Sequence, residues 1–124
     1  MAFEILDNCL SRPVYTDYSS SQFRFMYVNS SGQWQRAGDG AFAEGVLQDD
    51  PDAANKAGSC ALTGSVTKVE VGGVVTAGGL VSSDSAGRVV NIASGDYVLG
   101  RALESATTAG QRVTIIFMPS YGTY

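Results

Sequence analysis

Gln111-Arg112-Val113-Thr114-Ile115-Ile116-Phe117-Met118 sets Val113, Ile115 and Phe117 on one side of an extended chain, with Arg112 and Thr114 on the other. A period of two in β-branched and aromatic residues marks a half-buried strand. Residues 65–71 repeat it, with Thr67, Val69 and Val71 opposed to Lys68 and Glu70. Residues 23–27 do so again, as Phe23, Phe25 and Tyr27 alternate with Arg24 and Met26. Between these segments stand turn signals: Asn29-Ser30-Ser31-Gly32, Gly72-Gly73, Ser83-Asp84-Ser85-Ala86-Gly87 and Ser94-Gly95-Asp96.

The turns divide the chain into short strand candidates. Residues 33–36 return on 23–27 as a hairpin, and further strands are expected over 42–48, 59–63, 79–82, 88–92 and 97–103. Val90 and Ile92 are expected to face one way together. One helical turn is expected over 52–56, with Asp50 as its cap, Pro51 at its start and Gly58 ending it. This spacing predicts an all-β fold, a small sandwich or barrel of β-tulip type. The expected organisation is an extended N-terminal arm over 1–21, a β domain over 22–118 and a tail over 119–124.

A chain of 124 residues with 44% hydrophobic and 16% charged residues makes one folded domain. The formal net charge is -4, and the eight Lys and Arg residues are scattered, so neither nucleic acid nor an anionic membrane is an expected partner. Met1-Ala2-Phe3-Glu4-Ile5 has no basic start and no apolar run of secretory type, which points to synthesis in a cytoplasm. The longest apolar-looking stretch, 71–81, is broken by Gly72, Gly73, Gly78 and Gly79.

Histidine is absent, which removes Ser-His-Asp and Cys-His catalysis and most zinc sites. Cys9 and Cys60 are read as reduced thiols, and a disulfide between them would need an oxidising compartment. Cys60 has no basic neighbour in sequence to make it nucleophilic. Asp49, Asp50 and Asp52 form an acidic turn without the spacing or closing Glu of a calcium loop. The Gly72-Gly73 and Gly78-Gly79 pairs lack the Lys and helix of a phosphate loop. No enzyme activity, cofactor or metal is therefore expected.

Residues 1–21 hold no steady period. Their apolar members Phe3, Ile5, Leu6, Leu10, Tyr15 and Tyr18 need a surface to lie on. Two readings stand: an arm laid on another molecule, or an edge strand packed back on its own domain. In the first, Phe3, Ile5, Leu6, Tyr15 and Tyr18 contact a partner. Trp34 lies between Gln33 and Gln35 and is either an interface anchor or a core residue. An internal echo also runs through the chain. Shifted by 55, Ser30, Gly32, Gly40 and Gly45 fall on Ser85, Gly87, Gly95 and Gly100, and Phe42 falls on Tyr97. After short gaps Ala57-Gly58 resembles Ala109-Gly110. Three of these identities are glycine, so the echo by itself says only that similar turns recur.

Residues 19–117 resemble small phage proteins of the head decoration, or capsid cement, family. The resemblance lies in Ser20-Ser21-Gln22-Phe23-Arg24-Phe25, Gly45-Val46-Leu47-Gln48-Asp49-Asp50-Pro51, Gly64-Ser65-Val66-Thr67-Lys68-Val69, the segment from Ala77 to Arg88, and Gly95 to Glu104. Each is mostly turn chemistry, and their order along the chain carries the likeness. Gly79 stands where the family commonly has Asp. The resemblance implies a β-rich, non-enzymatic protein, often trimeric, on the outside of an icosahedral head at junctions between capsomers. Its partners would be the major capsid protein and further copies of itself, as a homotrimer, and its location the outer surface of the virion. A second functional reading is a virion-surface module that binds a glycan or receptor, with Trp34, Tyr121 and Tyr124 as stacking surfaces.

Overall fold

The computed structural model describes residues 8–124. Ten strands and, among the described residues, no helix make an all-β fold. They are β1 (Cys9–Pro13), β2 (Phe25–Val28), β3 (Trp34–Arg36), β4 (Gly45–Leu47), β5 (Ala57–Ala61), β6 (Val66–Glu70), β7 (Leu80–Ser83), β8 (Val89–Asn91), β9 (Gly100–Ala102) and β10 (Arg112–Phe117). Two five-stranded antiparallel sheets result, ordered β1-β5-β4-β2-β3 and β6-β10-β9-β7-β8.

The second order is the first with every strand advanced by five, so the chain is two copies of one unit. The match holds residue by residue. Met26 opposes Arg36 and Phe25 opposes Val46; 55 residues later Val81 opposes Asn91 and Leu80 opposes Arg101. Ala61 opposes Val46 and Cys9, while Ile116 opposes Arg101 and Val66, so the first strand of each unit is offset by 57. The turns repeat as well. Asn29 Oδ1 accepts the N–H groups of Ser31 and Gln33, and Asp84 Oδ1 accepts those of Ala86 and Arg88. Gly32 and Gly87 both follow at φ 75, the left-handed position that closes such a hairpin loop with little strain only for glycine. The sequence echo is thus a structural duplication, with one correction. Ala57 and Gly58 correspond to Arg112 and Val113, because the offset of 55 continues through β5 and β10.

Each sheet curls on itself. Val14, just beyond β1, makes a parallel bridge to Trp34 of β3 at the opposite edge, and Val71 does the same to Val89. In the first unit the curl encloses Val14, Tyr18, Met26, Trp34, Leu47 and Cys60. In the second it encloses Val71, Val81, Val89, Ala102 and Ile115, and the same cluster takes in Phe25, Ala37, Ala43 and Val46 from the first unit. Residues on the outer face of the first sheet therefore complete the core of the second. Phe25 stacks on Phe117 with ring centroids 6.0 Å apart. At the edge of this junction Arg24 Nη2 donates to Glu70 Oε2 at 3.0 Å, and the Arg112 guanidinium lies 4.6 Å from the Phe23 ring centroid.

Several expectations change. Residues 8–21 follow the edge-strand reading: β1 pairs along its length with β5, and Val14 and Tyr18 are buried. The extended arm, expected over 1–21, does not include residues 8–21; residues 1–7 lie outside the described part. The tail is tied down too, because Tyr124 donates its N–H to Asp96 O and accepts from the Gly95 N–H. No helical turn forms over 52–56, where Asn55 at φ 68 interrupts any helical path. Phe23, at φ 64, stands before its strand rather than in it. In β8 the buried residue is Val89, with Val90, and Ile92 just past the strand, only half-buried.

Trp34 is 1% exposed and donates its indole N–H to Leu10 O at 3.3 Å. Gly45 lets it in, since a Cβ there would sit 2.7 Å from Cys60 Cβ and 3.3 Å from the indole. Trp34→Ala should cost about 3–5 kcal/mol in a urea unfolding curve, the range for a large buried aromatic. A loss below about 1 kcal/mol would put Trp34 outside the load carried by the core.

Candidate functional site

Among the described residues, most of the thiol and acidic side chains singled out in the sequence are engaged within the fold. Cys60 lies inside the first curl, and burial, reinforced by the Asp49 charge, holds its thiol far above the usual range. Both cysteines are free thiols. Asp49 accepts the Ser59 N–H, Asp52 pairs with Lys56 at 2.6 Å and Asp50 is exposed. Among the described residues no three His, Cys, Asp or Glu side chains converge on one point. Asp84 is held by its own turn and by Arg88 at 3.0 Å.

What remains is surface. At the open end of the first curl lies a hollow of about 400 Å³ floored by Leu10, Val28, Trp34 and Leu62. Phe42 and Tyr121, stacked at 4.8 Å, wall it, and Glu44 stands at its side. Tyr121 is 87% exposed. A second surface is the outer face of the second sheet. Register places Val66, Ile116, Arg101 and Leu80 in one row across β6, β10, β9 and β7. Val66 is 64% exposed, Leu103 and Arg101 are exposed, and Leu80 and Ile116 are half-buried. Exposed apolar side chains around an Arg are a composition suited to a protein–protein contact.

The residues expected to meet a partner divide three ways. Phe3, Ile5 and Leu6 lie outside the described residues. Tyr15 is 51% exposed on the segment that follows β1. Tyr18 and Trp34 are core residues of the first curl, with Trp34 reaching the surface only as part of the floor of the hollow, so neither is a projecting contact residue, which corrects the expectation for both. Tyr18 is held by burial, which raises its pKa, and its hydroxyl accepts the Arg36 N–H at 3.0 Å. Trp34 is lost to the glycan reading for the same reason. The hollow and the outer sheet face escaped the sequence reading. The one available signal was Val66, Ile116 and Leu80 interrupting the polar side of strands that otherwise alternate cleanly.

Residues 22–117 match the sequence profile of the family described as phage cement protein. The chain belongs to that family. Its role is accordingly that of a capsid-associated decoration protein of a bacteriophage. A search of curated proteins finds no match. Among solved structures it is similar to the head fiber gp8.5 N base of bacteriophage phi29, with a TM-score of 0.73 and 17% identity over 88% of this chain and 92% of that one. At that identity the likeness establishes a shared fold.

Burial of Cys60 yields a test of the site inventory. In the native protein a thiol reagent at pH 8 should modify at most one cysteine per chain quickly, and Cys60 only on the timescale of unfolding. Two fast equivalents would show that the first curl opens readily.

Proposed function

We infer that the protein binds the outside of a phage head at junctions between capsomers, gripping the major capsid protein without catalysis, as a homotrimer made in the host cytoplasm. The family membership carries this reading, and the half-polar hollow and the outer face of the second sheet supply contacts for it. Packaged DNA presses outward on the shell and loads the seams between capsomers. A trimer touching several subunits gains by effective concentration, so contacts that are weak singly become tight together. Residues 1–7 carry Phe3, Ile5 and Leu6, and seven residues can span at most about 25 Å when extended, a length sufficient for a contact with a neighbouring subunit. Tyr15, beyond the other end of β1, offers a separate exposed contact.

Co-sedimentation with expanded empty heads tests this. The protein should pellet with heads in a fixed ratio, and a chain lacking residues 1–7 should bind at least tenfold more weakly while melting at the same temperature. Heads that retain none of the full-length protein would overturn the reading. Unchanged binding of the shortened chain would remove residues 1–7 from the contact.

A further inference from the structure

The duplication makes the intramolecular junction a template for an intermolecular one. In the first unit, the outer-face positions Phe25, Val46 and Ala61 are buried, the first two in the core of the second unit. Their counterparts in the second unit are Leu80, Arg101 and Ile116, which have no such cover. The receiving end shows the converse. In the second unit, Phe117, Leu99, Ser83 and Val89 are fully buried beneath the first. Their counterparts in the first unit are Leu62, Glu44, Val28 and Trp34, all of which line the open hollow. Among the described residues there is thus one junction made and two half-junctions unmade, one of each kind.

We propose that the outer face of the second sheet docks on the hollow of the first unit of another copy of this chain, with Leu80 taking there the place that Phe25 takes on Phe117. The proposal rests on the self-association inferred above and names its contact. Chemistry at the exchanged positions agrees. Val46 and Leu99, both fully buried in the internal junction, are replaced at the open ends by Arg101 and Glu44, a pair of opposite charges. Within the chain Glu44 accepts the Val28 N–H and Arg101 donates to Gly78 O, and charge at these two positions keeps each face soluble while opposite signs favour the proposed register. The contact is head-to-tail, so each copy offers one donor face and one acceptor face, and copies close into a ring or run on as a chain.

Two variants separate the faces. Val66→Asp with Leu103→Asp alters side chains that are exposed in the single chain, on the donor face. Leu62→Asp alters the acceptor hollow; if it melts well below the parent, Tyr121→Asp on the rim replaces it. Sedimentation equilibrium should give several copies for the parent and the 13.0 kDa single chain for each variant alone. Mixing donor-face and acceptor-face variants should restore association, but only to twice the chain mass, because one intact donor face meets one intact acceptor face. A parent that is a single chain at its highest soluble concentration overturns the proposal and leaves head binding to be judged by co-sedimentation. Variants that keep the parent's mass, or that fail to pair on mixing, also overturn it. Loss of head binding with the mass unchanged would give these faces to the capsid instead.

Discussion

Phe25 lies on the outer face of one sheet, yet it is buried at the open end of the next, against Phe117. That contact makes two small curled sheets a single protein. Each unit has a modest interior of its own, and a unit of about 50 residues is marginal by itself. Sharing Phe25, Val46, Ala37 and Ala43 with the second unit enlarges one core instead of leaving two small ones. The Arg24–Glu70 pair and the Phe23–Arg112 contact join the units at the edge of the same junction.

Duplication explains the uneven surface. An intramolecular junction uses one donor face and one acceptor end, and leaves one of each at the extremities of the chain. The acceptor end of the first unit is the hollow over Trp34, and the donor face of the second is the row from Val66 to Leu80. A decoration protein needs contact surface and a stable scaffold and has no use for an activated nucleophile. Cys60 is buried in the first curl, and Asp49 and Asp84 are engaged in a backbone hydrogen bond and an ion pair.

Much of the fold was legible in the sequence because a period of two survives wherever a strand is covered on one face. Val113, Ile115 and Phe117, and Thr67, Val69 and Val71, are buried as their spacing requires. Legibility fails where cover is two-sided. Phe25 and Met26 are adjacent and both fully buried, one in each cluster, so β2 shows no alternation to read. Trp34 could not be placed from its Gln neighbours, because its environment is built by Val14, Gly45 and Cys60 from distant segments. The echo looked slight because the two units share turn geometry and register more than side chains: Asn29 does the work of Asp84, and Asn55 at φ 68 that of Gly110 at φ 92. The surfaces were the least visible part, since exposure of Val66 or Leu103 depends on what the tertiary fold leaves uncovered.

The most direct test of capsid decoration by this duplicated chain is a cryo-electron microscopy reconstruction of expanded heads carrying the protein. The account predicts density on the outer surface at capsomer junctions, in which the two sheets of each copy can be fitted and the second sheet of one copy abuts the first sheet of its neighbour. Density confined to the inside of the shell, or its absence from heads at saturating protein, would contradict it.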